Sequence, residues 1–178
     1  MRRTGPLLLA AACLAGTPAG ARKPLPYRAV VEVTAAAKIG EATWRGQLAD
    51  IVTDRLRAKG CLAGVMDPGA TGADLRVHVR VEDIERETDF GAPLAQTVSP
   101  DASPDVKDLR VARLRATLVV ELVRIPAEER LDQRRLSVDV RRAPRTMDED
   151  VDAAAALEAM EQAADRVAQV VCRAKAPR

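Results

Sequence analysis

Aromatic residues are nearly missing from this chain. Tyr27, Trp44 and Phe90 are the only three, 2% of 178 residues. The core must therefore be built from Val, Leu, Ile and Ala, and successive nucleic-acid bases would find no stacking surface. Histidine is scarcer still, with His78 alone. A metal site needs several converging His, Cys or carboxylate ligands, and a single imidazole on a polar strand face does not begin such a set. An excess of one charge is lacking too. The 28 Lys and Arg stand against 26 Asp and Glu. Arg2 and Arg3 lie in a segment expected to be removed, which lowers the 28 to 26 and leaves the rest neutral. Without net positive charge the counterion-release term that drives nucleic-acid binding is gone, so no nucleic-acid partner is expected.

The usual carriers of catalysis are absent as well. The turn around Gly69 and Gly72 lacks the lysine and serine of a phosphate loop. Ser99, Ser103 and Ser137 have no nucleophile elbow or triad context. The carboxylate pairs Glu82-Asp83, Glu85-Arg86-Glu87 and Asp148-Glu149-Asp150 are interleaved with arginines, which suits solvated salt-bridge faces better than an acid/base pair. A non-enzyme without a cofactor is expected.

The amino terminus carries a specific pattern. Arg2 and Arg3 make a basic start, Leu7 to Leu14 a short apolar run, and Ala19-Gly20-Ala21 an A-x-A cleavage site. That is the layout of a secretory signal peptide over residues 1–21. The apolar run is far short of the roughly 20 residues a membrane span needs. Cys13, after Leu9-Ala10-Ala11-Ala12, offers the alternative of a bacterial lipoprotein box with Cys13 lipidated. Either way the domain is expected to be exported: periplasmic in the first case, an outer-membrane lipoprotein in the second.

What is present reads as one domain over 22–178. From Val111 to Val123, Ala112, Leu114, Ala116, Leu118, Val120 and Leu122 alternate with Arg113, Arg115, Thr117 and Glu121, with Val119 and Val123 as apolar exceptions. Period two with one apolar side is a strand with one face buried. Further strands are expected over Tyr27 to Thr34, Cys61 to Met66, Asp74 to Glu85, and around Arg135 to Arg141. Trp44, Leu48, Ile51, Val52 and Leu56 recur at helical spacing over Glu41 to Lys59, and Gly60 follows as a left-handed cap. A second helix runs from an acidic start at Asp148 to Asp150 to about Arg173, with Val151, Leu157, Met160, Ala164, Val167, Val170 and Val171 on one face. Residues 90–108 carry Pro93, Pro100 and Pro104 and no periodicity, so a mobile loop is expected there. The order β-α-β-β-β-β-α predicts an α+β two-layer sandwich: a mixed, mostly antiparallel sheet with two helices on one face.

Two chemical features remain. Cys61 and Cys172 are an even pair in an exported chain and are expected to form a disulfide. Arg76, His78, Arg80, Arg113, Arg115 and Arg135, with Arg141, fall on polar strand faces. If the strands are neighbours they form one arginine-rich outer surface, a face for a partner.

The helix ending in Leu56, Lys59 and Gly60, followed by a short strand and then Ala73-Asp74 opening A-D-L-R-V-H-V-R-V, resembles a group of small bacterial envelope domains. These include the amino-terminal domain of the Tol-system β-propeller protein, curli-secretion lipoproteins and lipoprotein activators of peptidoglycan synthases. The resemblance spans most of Val30 to Cys172 and implies a non-enzymatic accessory subunit of an envelope protein complex, with outer-membrane association as one option. It transfers no binding residues. The alternative expectation is a periplasmic carrier of a small molecule, lipid or glycan, held between sheet and helices. A third reading, an enzyme working through His78 and nearby carboxylates, is the weakest.

Overall fold

The computed structural model describes residues 25–36, 42–90, 110–144 and 149–174. The expected leader, Cys13 and the expected loop lie outside these, except Phe90, which ends a strand. In chain order the elements are β1 (Leu25–Ala35), α1 (Ala42–Lys59), β2 (Leu62–Met66), β3 (Leu75–Phe90), β4 (Arg110–Arg124), β5 (Glu129–Arg142) and α2 (Val151–Arg173). This is the expected order of an α+β fold.

One five-stranded mixed sheet runs β2-β1-β3-β4-β5. β1 lies between β2 and β3 and is parallel to both, because α1 carries the chain back to the start of the sheet before β2 forms. β3, β4 and β5 form an antiparallel meander. β4 is the middle of that meander, and its alternation sets the two faces: Ala112, Leu114, Ala116, Leu118, Val120 and Leu122 are all buried. Leu75, Val77, Val79 and Val81 of β3 and Val138 and Val140 of β5 join them, together with Ala29 and Val31 of β1.

Both helices cover that apolar face and pack against each other. α1 presents Leu48, Val52 and Leu56 to the sheet, each at most 1% exposed, and Gly60 ends it at φ 59°. That left-handed value is one an L side chain resists, so glycine stops the helix cheaply there. α2 starts on Asp150, whose carboxylate accepts the backbone N–H groups of Asp152 and Ala153 at 3.1 Å.

Two expectations need correction. Leu157 does not line the buried face of α2; it is 49% exposed. The buried stripe is largely alanine (Ala155, Ala159, Ala163, Ala164, Ala168) with Val151, Met160, Val167 and Val171, and Val170 is only partly covered. Small side chains let the helix lie close to the strands, and a leucine would hold it off. The strand expected to stop near Glu85 runs on to Phe90, paired with β4 throughout. The apolar alternation ends near Ile84 because Arg86 and Thr88 stand opposite the buried Leu114 and Ala112.

The layer between sheet and helices is filled. Leu48, Leu118, Val120, Ala163, Ala164 and Val167 are fully buried there. Cys61, just after Gly60, is joined by a disulfide to Cys172 in the last turn of α2, with Cα atoms 5.4 Å apart. The bond ties the end of α1 and the start of β2 to the carboxyl-terminal end of the other helix.

Candidate functional site

A two-layer fold leaves one sheet face uncovered, and this is where the structure places Arg76, His78, Arg80, Arg113, Arg115 and Arg135. Register brings them together. Arg76 stands opposite Val30 and Val123, His78 opposite Glu32 and Glu121, Arg80 opposite Thr34 and Val119. On the other side of β4, Val119 faces Arg135, Thr117 faces Ser137, and Arg115 faces Asp139.

The surface is not a cationic plate. Arg76 reaches the β4–β5 turn, with Nη1 and Nη2 donating to the two Glu128 carboxylate oxygens at 3.0 and 3.2 Å. Its Nε lies 3.4 Å from Glu32 on β1, so one guanidinium bridges β1, β3 and the turn. Glu82 sits between Arg80 and Arg135 at 3.1 and 3.0 Å. That trio spans β3 to β5 and roofs Val119, which is only 5% exposed although it is on the wet face. Arginine stems covering an apolar floor while the heads stay in water account for this exception to the alternation.

Arg113 grips Asp139 with Nε at 3.0 Å and Nη2 at 2.6 Å, and Arg115 Nε lies 3.5 Å from the same carboxylate. The Arg113 guanidinium, seconded by Arg115, holds the Asp139 carboxyl below its usual range. Glu85 and Glu87 approach the same arginines only loosely, at 3.6 to 3.9 Å. A shallow groove of about 230 Å³ lies here, with Thr117 and Ser137 at its floor and Asp83, Glu85, Arg115 and Asp139 around it. Arg76, Arg80, Arg113, Arg115 and Arg135 thus each have a carboxylate within 4 Å. Of the paired carboxylates read from the sequence, Glu82, Glu85 and Glu87 are salt-bridge members of this face.

His78 lies between two neighbours on this face. Its Nε2 is 2.9 Å from Thr34 Oγ1, and Nδ1 is 3.7 Å from Glu121. Among the described residues, no group of three or more His, Cys, Asp or Glu is placed to hold a metal ion. No helix among them is long and apolar enough to cross a membrane.

Two anchoring residues were not singled out from the sequence. Asp74, at the mouth of β3, accepts the backbone N–H of Arg28 at 3.1 Å and its side-chain Nε at 3.4 Å. Those two bonds, the backbone one first, hold the Asp74 carboxyl below its ordinary value. Arg142 is the other. It continues the inward alternation of Val138 and Val140, so the signal was a charge in an apolar register. Its Nη2 lies 2.6 Å from Glu149 and Nη1 3.1 Å from Glu158, and the guanidinium is held charged above its usual range by Glu149 and then Glu158. It borders a groove of about 400 Å³ on the helix layer whose lining also includes Arg55, Leu157, Glu161 and Asp165. That charged lining, with the filled layer beneath it, does not suit an apolar cargo.

No protein-family model matches the chain, and no curated protein does. Solved structures do. A Xanthomonas campestris protein of family DUF330 matches with 18% identity over 87% of this chain and 90% of its own, at a TM-score of 0.56. That likeness is one of fold. A minor lipoprotein of Acinetobacter baumannii is 12% identical over 84% of this chain and 93% of its own, at a TM-score of 0.47. The rare lipoprotein B of Shewanella oneidensis is 18% identical over 79% and 92%, at 0.34.

Proposed function

We propose that this chain is an exported, non-catalytic protein of the bacterial envelope that docks onto another envelope protein through the outer face of its sheet. The observation that carries the reading is the lattice of Arg76, Arg80, Glu82, Arg113, Arg115, Arg135 and Asp139 across three strands, with no helix among the described residues over it. Such a surface can trade its own ion pairs for pairs across an interface, which gives register and specificity more than raw affinity. The basic start, short apolar run and A-x-A site at residues 1–21 support export, and so does the disulfide between Cys61 and Cys172, which is a bond of oxidising compartments. An accessory role in a secretion, transport, motility or wall-building assembly follows from the resemblance, with the periplasm as location or, if Cys13 is lipidated, the outer membrane.

Photo-crosslinking from the native envelope tests it. A crosslinking side chain at Arg115 or Arg135 should capture one reproducible protein, and the same group at Leu157 on the helix layer should not. Capture from Leu157 alone, or from neither face, sinks the outer-face reading.

A further inference from the structure

We infer that the free edge of β3 beyond Val81 is a strand-addition site for an extended basic segment of a partner protein. The argument begins with unequal strand lengths. β1 accompanies β3 only as far as Ala35 opposite Val81, and its last bond is the Ala36 N–H to the Val81 carbonyl at 3.0 Å. The β3–β4 ladder continues from Asp83 opposite Thr117 to Phe90 opposite Arg110. Among the described residues, the β1 side of β3 from Glu82 to Phe90 therefore has no strand beside it. A bulge between Val81 and Asp83 marks where the edge opens.

The other outer strands offer less. β2 is five residues long, and the Arg57 guanidinium reaches its Val65 carbonyl. β5 has the Arg166 side chain of α2 donating to its Ser137 carbonyl. Short edges and side chains laid over backbone groups are how sheets discourage added strands. The distal edge of β3 is longer than β2, and its own guards are a bulge and acidic side chains, which repel like charge and not a basic strand.

Charge selects the occupant. Glu82, Asp83, Glu85 and Glu87 stand against Arg86 alone along this edge. Glu85 and Glu87 are 58% and 52% exposed, and their β4 arginines, at 3.6 to 3.9 Å, are committed more closely to Asp139. No ion pair of Asp83 is found among the described residues. These carboxylates keep capacity for further cations. A second copy pairing by the same edge would set like charges opposite one another, which is unfavourable. A strand carrying Lys or Arg at every second position would meet Glu85 and Glu87 on the outer face. Its intervening apolar residues would lie on the side of half-buried Ile84. The inference rests on the protein-binding reading only in general; it names the backbone edge of β3, which borders the outer face at Glu85 and Glu87.

The test uses the full chain and a nine-residue peptide alternating lysine and valine. A second peptide of the same charge, with prolines replacing two valines, cannot add as a strand. Binding of the first should slow amide exchange between Ile84 and Thr88 and weaken with salt. The double variant Glu85→Lys, Glu87→Lys should weaken it by about tenfold, the sum of two exposed pairs reversed. Its melting temperature shows whether the fold is kept. The variant Arg76→Ala, on the outer face and paired with Glu32 and Glu128 at the other end of β3, should bind the peptide unchanged, which separates this edge from the docking face. Equal binding of the proline peptide, indifference to the charge reversal, or protection elsewhere would each overturn the inference. The acidic residues would then serve only to keep edges of neighbouring molecules apart.

Discussion

Arg113 and Asp139 meet diagonally across β4 and β5, two nitrogens of one guanidinium on the two oxygens of one carboxylate, at 3.0 and 2.6 Å. In the register Arg113 faces Arg141 and Asp139 faces Arg115, so this grip runs across the rungs of the ladder. Diagonal pairs of this kind lock the alignment of two strands as well as joining them.

The pair predicts an acid response. Asp139 titrates below the usual 3.8 in the folded chain, with Arg113 as the main cause. A group lowered in this way stabilises the fold above its unfolded value, and the stabilisation fades as pH falls through the folded value. Melting temperatures measured from pH 6 to pH 2.5 should drop in the parent below about pH 4, and less steeply in Asp139→Asn. Identical slopes would show that the grip carries no linkage. Asp74, lowered by the Arg28 backbone N–H, should behave in the same direction.

The disulfide closes a long loop, its ends 111 positions apart in the sequence. In the chain-entropy model such a closure stabilises by about 4–5 kcal/mol, mainly by restricting the unfolded chain. Urea unfolding of the double variant Cys61→Ala, Cys172→Ala should show a loss of that order or somewhat less. Unchanged stability on reduction would contradict it.

The alanine stripe of α2 predicts an asymmetry. Ala163→Leu, at a fully buried position against the neighbouring layer, should cost about 1–3 kcal/mol by overpacking. Leu157→Ala, on the exposed side, should stay within about 0.5 kcal/mol. Denaturant midpoints at constant slope read both.

Asp150→Ala removes the acceptor for two backbone N–H groups at the start of α2 and should cost about 1 kcal/mol. Asp150→Ser should recover most of it.

These residues also show where the sequence was legible. Strict alternation over Val111 to Val123 made β4 and both of its faces readable, because one face is packed and the other wet. Gly60 and the periodic Leu48, Val52 and Leu56 made α1 readable in the same way. Leu157 misled because hydrophobicity ranks it above Ala155 and Ala159, whereas contact with a sheet is decided by how closely the helix can approach. Residues Arg86 to Phe90 read as the approach to a loop because Arg86 and Thr88 hold the positions opposite Leu114 and Ala112 where apolar residues would have continued the alternation. The arginine ladder was visible, and so were the carboxylates. Their mutual pairing needed register, and neither the bulge after Val81 nor the parallel place of β1 leaves a mark in composition.

The position of β1 between β2 and β3 has a mechanical consequence. The first unit, β1-α1-β2, and the second, β3-β4-β5-α2, share one seam in the sheet and are joined in sequence only by the short turn from Asp67 to Asp74. Cys61 belongs to the first unit and Cys172 to the second. A protease that nicks the exposed turn would thus free no fragment: the two pieces would travel as one molecule, and only a reductant together with a denaturant would part them.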